Sequence, residues 1–204
     1  MHYIRFLKPP RLQGGSAPTL SAKITVTTDL GESFLFSEVI LLVELELDDG
    51  STVGKSCEYL WKGQDGMRSI EVKILVPPTL KRSGKKFKML IRPKDKMYTV
   101  DSFSAASNLD ITNTNNQGGV MAVRSMKIEA VPSINGPGSV TTGMAERVFT
   151  YGNSEIRIWE ETGESIARHI WYDQVGQVCP FLLLPTNCTK GRWIDTIILP
   201  PQHP

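Results

Sequence analysis

Cysteine and histidine are scarce in this chain: three of each in 204 residues. Cys57, Cys179 and Cys188 form no close pair and are odd in number, so a disulfide framework is not expected. Metal ligation needs several soft or imidazole ligands at short spacing, and no such spacing recurs among these six residues. His169 reads as a cation near a helix C-terminus rather than as a ligand or base. Long apolar runs are missing too; the longest candidates, Val39 to Val43 and Phe181 to Leu184, fall far short of the ~18 residues of a membrane span. The first eight residues, Met1 to Lys8, have neither an apolar core nor a small-residue cleavage site, so they do not read as a signal peptide. These features predict a cytoplasmic or nuclear protein, and the Asn187-Cys188-Thr189 sequon is read as chance. Catalytic motifs are also wanting. There is no Gly-x-Ser-x-Gly elbow, and Gly14-Gly15, Gly118-Gly119 and Gly136-Pro137-Gly138 are not followed by helices, as a phosphate cradle requires.

What is present is strand periodicity. Residues 3–8 alternate and stop at Pro9-Pro10, which cannot donate to a ladder. Residues 22–27 are β-branched with period two. Residues 39–47 begin as a continuous apolar run and finish as Leu45 and Leu47 against Glu44, Glu46 and Asp48. Asp49-Gly50 then supplies a hairpin turn into 51–59. Residues 70–76, 87–92 and 121–130 repeat the pattern, and Gly152-Asn153-Ser154 separates 148–151 from 156–159. About eight strands at 10–20-residue spacing, with no helical period between them, predict a mainly β fold: an antiparallel β-sandwich or barrel. One short helix is expected near the C-terminus, over 160–171, where acids precede Arg168 and His169. Residues 102–119 and 131–143 read as long surface loops. The chain thus divides into a β-rich sandwich-like domain over 1–145, a hairpin and helix over 146–172, and an irregular tail over 173–204.

One segment concentrates charge. Residues 81–96 hold Lys81, Arg82, Lys85, Lys86, Lys88, Arg92, Lys94 and Lys96 against the single acid Asp95, in a chain whose formal net charge is +2. Read as a hairpin, it would cluster Lys86, Lys88 and Arg92. Two uses are open. Lys81, Arg82, Lys85, Lys86, Lys88 and Arg92 could attract an acidic protein or an anionic lipid surface. Alternatively, the lysines shield an edge strand or face the acidic strand that carries Glu44 and Glu46. Only Phe87 is interleaved, so the stacking platform of a nucleic-acid reader is absent and no specific nucleic acid is expected.

Residues 146–171 (ERVFTYGNSEIRIWEETGESIARHIW) resemble the lead-in of the S-adenosylmethionine-dependent lysine methyltransferase-like proteins (methyltransferase family 16), particularly fungal forms. The opening YIRFLKPP of residues 3–10 resembles the start of such proteins, which place a β-rich region before the catalytic fold. The resemblance implies a hairpin, a short helix, and a Trp that leads to the cofactor site, with Glu164, Ser165 and Trp171 matching that approach. The family's Asp after this Trp is Tyr172 here. Its acidic-Leu-Gly-x-Gly-x-Gly donor loop does not occur in residues 173–204. The expectation is the truncated N-terminal portion of such a methyltransferase, without the donor-binding core and inactive alone. No cofactor is then expected for this chain, and S-adenosylmethionine only for a full-length form. The alternative is a free-standing β-sandwich interaction module that uses the basic segment.

Overall fold

The computed structural model of the chain describes residues 1–14, 18–28, 31–102, 119–129, 143–152 and 154–162. They form two facing sheets, the sandwich that the strand spacing predicts. The first sheet contains β1 (His2–Phe6), β2 (Arg11–Gln13), β3 (Thr19–Thr27), β6 (Ile70–Leu75), β8 (Thr99–Val100) and β9 (Val120–Met121). β1 and β2 share one edge of β3, because Pro9-Pro10 break what would be one strand, and β6 pairs along the other edge. The second sheet runs β13 (Ser154–Glu161), β12 (Met144–Tyr151), β10 (Val123–Ser125), β7 (Lys86–Pro93), β4 (Glu38–Leu47) and β5 (Thr52–Lys62), with β11 (Ile128–Glu129) also on β7. Most pairs are antiparallel; β1–β9 and β8–β9 are parallel.

Alternation explains why the sheets face each other. Leu20, Ala22, Ile24 and Val26 point inward from β3, and Val39, Leu41, Val43 and Leu45 from β4. They meet Phe87, Met89 and Ile91 of β7 and the fully buried Trp61 in one core. Trp61 keeps its indole N–H satisfied by donating to the Leu35 carbonyl at 2.8 Å. Gly63 sits against that carbonyl so closely that a Cβ there would lie 1.7 Å from it.

A second, smaller apolar cluster of Tyr3, Val100, Met121 and Phe149 seats the β12–β13 hairpin. Here one strand changes sheet: β9 ends at Met121 and β10 begins at Val123. Arg147, 3% exposed, holds this corner. Its guanidinium donates to the Ala122 and Ile4 carbonyls at 2.9 Å each and pairs with Glu160 of β13. It also lies over the Tyr3 ring.

Three expectations change. The boundary at 145/146 falls inside β12, whose Ala145 and Glu146 both pair with β10, so residues 146–161 belong to the sandwich rather than to a separate lead-in. The helix expected from residue 160 does not start there, because Glu160 and Glu161 continue the β13 ladder opposite Ala145 and Met144; the remainder from 163, with His169 and Trp171, lies outside the described residues. The basic segment is not a hairpin. Pro78 opens a short helix, α1 (Pro78–Ser83), which Gly84 ends at φ 62°, before β7 begins. A proline at the first helical position and a left-handed glycine just after the last supply the start and stop of this helix.

Several strand edges are guarded. The Tyr59 hydroxyl donates to the Lys73 carbonyl and accepts the Lys73 N–H, both at 2.7 Å, occupying the outer edge of β6 at its middle. On β5, Lys62 donates its N–H to Met67 Sδ at 3.4 Å and accepts the Met67 N–H at 3.3 Å. Pro77 crowds β5 from the other end, at Gly54. β8 is continued by a bridge from Ser102 to Thr150.

Candidate functional site: a charged sheet face

Period two puts one row of every strand on the outer face of the second sheet. These rows include Glu44 and Glu46 of β4, Lys86, Lys88, Leu90 and Arg92 of β7, Arg124 of β10, Glu146 and Val148 of β12, and Glu155, Arg157 and Trp159 of β13. The charges interlock. Arg92 Nε donates to Glu44 Oε2 at 2.8 Å. Arg124 makes a bidentate pair with Glu46, at 2.8 and 3.1 Å. Because Arg124 and Glu46 lie on either side of β7, their pair spans that strand, where Leu90 is only 5% exposed. Lys88 pairs with Glu146, a link that reaches from β7 to β12 across the position of β10 and β11. Arg157 reaches the same carboxylate at 2.9 Å and Glu155 at 2.6 Å.

The Lys88–Glu146 link exists because the chain departs from the sheet after Ser125. The Ser125 hydroxyl takes the missing ladder position: it accepts the Met89 N–H at 2.9 Å and donates to the Met126 carbonyl at 2.8 Å. Glu146 is 2% exposed and Lys88 9%. Burial alone would push the Glu146 carboxyl up; the hydrogen bonds and charges of Lys88 and Arg157 outweigh it and hold the carboxyl below the ordinary glutamate range. Arg157 is held charged by the mirror of this effect: burial opposes its charge, and its bonds to Glu146 and Glu155 overcome that.

The residues expected to bind a partner are therefore split. Lys88 and Arg92 are bound to Glu146 and Glu44. Lys86 is exposed and stands opposite Glu129 in register. Arg82 and Lys85 are exposed at the end of α1 and the turn after it. Asp49, whose carboxyl is held low by hydrogen bonds from Ser51, is also influenced by Lys85. Lys81 lies in α1. Of the other two cations in the segment, Lys94 pairs with Glu58 at 2.7 Å. Sequence reasoning named Glu44 and Glu46 as the facing acids but missed Arg124, Glu146 and Arg157. The alternation of 144–151 and 154–161 marks Glu146 and Arg157 as face-sharing once the strand pairing is known.

Among the described residues, no group of three or more His, Cys, Asp and Glu is placed to hold a metal ion. His2 is pushed down to about 4 by burial and by the neighbouring amino terminus, so it is neutral near pH 7. No helix among the described residues is long and apolar enough to cross a membrane. Compared with family models, curated proteins and solved structures, the chain matches none.

Proposed function

We propose that this chain is the N-terminal, non-catalytic portion of an S-adenosylmethionine-dependent lysine methyltransferase-like protein, with the sandwich serving as its docking and support module. One observation carries the reading. Residues 146–161, which bear the resemblance to that family's lead-in, fall in β12 and β13, the last two strands among the described residues, and are tied to the sandwich's corner through Arg147 and Glu160. A lead-in built into the β domain fits a protein whose β-rich region supports a catalytic domain C-terminal to it. The buried ionic groups of the sheet face are spent on one another, which suits a scaffold better than acid–base chemistry. Isothermal calorimetry of this chain with S-adenosylmethionine is expected to give no binding heat; micromolar binding would overturn the non-catalytic assignment. Sequencing the spliced transcript tests the family assignment separately. A downstream Gly-x-Gly-x-Gly loop supports it, and a message that stops with this tail defeats it.

A second reading keeps one supporting observation. Arg82, Lys85 and Lys86 are exposed where α1 meets β7. They could meet an acidic protein or an anionic lipid surface. Such binding weakens as salt rises. Charge reversal at these three positions is expected to abolish it; Lys88 and Arg92 are already paired with Glu146 and Glu44.

A further inference from the structure

The second sheet ends in two edge strands, β5 on one side and β13 on the other. β13 pairs with β12 and with no other strand among the described residues. The Thr162 N–H donates to the Gly143 carbonyl at 2.7 Å. That fixes the phase of the ladder. Ala145/Glu160, Arg147/Ile158 and Phe149/Ile156 are the hydrogen-bonded pairs, so Glu155, Arg157 and Trp159 turn their backbone N–H and C=O groups away from β12. An eight-residue strand with neither bulge nor proline, and with alternate backbone groups turned outward, is a template for another strand.

We propose that β13 pairs antiparallel with β13 of a second copy of this chain, about a two-fold axis at Trp159, joining the two sheets edge to edge. The side chains favour this occupant. With the axis at Trp159, the half-buried ring lies against its own symmetry mate, and Arg157 faces the partner subunit's Glu161 on both sides of the axis. Moving the axis to Ile158 sets Glu155 against the partner subunit's Glu161, and moving it to Arg157 opposes two guanidiniums. Moving it to Ile156 still sets Arg157 against an acid but leaves Trp159 beyond the overlap. The Trp159 register alone joins aromatic contact with two opposite-charge pairs, the cross-strand combinations that stabilise antiparallel sheets. Such an isologous contact is closed by its own symmetry and does not propagate. This inference is independent of the methyltransferase reading.

Sedimentation equilibrium of the whole chain over a wide concentration range tests it. The expected result is a reversible monomer–dimer equilibrium. Trp159→Lys, which sets two ammonium groups at the axis, is expected to weaken it at least about tenfold. Glu161→Lys, which opposes Arg157 with a like charge, should do the same, with far-UV circular dichroism unchanged in both. A chain that stays monomeric throughout, or a dimer equally tight in both variants, overturns the proposal.

Discussion

Replacing Glu146 with leucine strands an ammonium inside the sheet face. Lys88 is 9% exposed and is left without its carboxylate. Removing one partner of a buried pair costs about 3–5 kcal/mol. Arg157 adds little to that figure, because its side chain is 42% exposed and water screens it. The flexible stem of Lys88 lets the ammonium move part-way toward solvent, so the low end, about 3 kcal/mol, is expected. At about 2–4 °C per kcal/mol for a chain of this size, the midpoint falls by about 6–12 °C. The double change Lys88→Met with Glu146→Leu removes both charges and fills the space with apolar side chains, so it should return to within about 1 kcal/mol of the parent. Urea unfolding followed by tryptophan fluorescence reads all four members of the cycle. The same group sets an acid limit. The folded Glu146 carboxyl titrates below its reference value of 4.5. Its contribution is therefore complete above that value and is lost as pH falls through the lower folded value. The reasoning is refuted if Glu146→Leu costs under about 0.5 kcal/mol, or if the double variant is as unstable as the two single losses added together.

Three further outcomes are expected. Ser125→Ala orphans the buried Met89 N–H and should cost about 1–3 kcal/mol by urea unfolding, with Ser125→Thr recovering part of it. Gly63→Ala drives a methyl into the Leu35 carbonyl that holds Trp61, so a loss of at least about 2 kcal/mol and a shifted Trp61 emission should appear. Tyr59→Phe removes both bonds to Lys73 and reopens the edge of β6; it should lower stability by about 1 kcal/mol and raise the rate of light-scattering growth on warming.

The strands were readable wherever one face is dry. Residues 22–27, 39–47, 70–76 and 87–92 alternate because every second side chain enters the core, and the structure has strands there. Elements set by backbone geometry were not readable from period two. α1 is six residues bracketed by Pro78 and Gly84, too short to show a helical repeat. β8 and β9 are two residues each and exist only through long-range parallel pairing with β1 and with each other. The charge run was visible, but its use was not. Whether Lys88 meets water or Glu146 depends on strands 58 residues apart, and on the chain leaving the sheet after Ser125. Likewise, 146–161 read as a separate lead-in because the Arg147 bonds to Ala122 and Ile4 join positions that no local pattern relates.

Native-state hydrogen exchange tests most directly whether residues 144–161 are part of the sandwich. Amides of Ala145, Arg147, Phe149, Ile156, Ile158 and Glu160 face the β12–β13 ladder, and those of β4 and β7 lie at the centre of the second sheet. Both sets are predicted to open in the same cooperative unfolding, and Arg147→Met to lower protection in both. Exchange of the hairpin amides through a separate opening of much lower free energy, with β4 and β7 still protected, would contradict a hairpin integral to the sandwich.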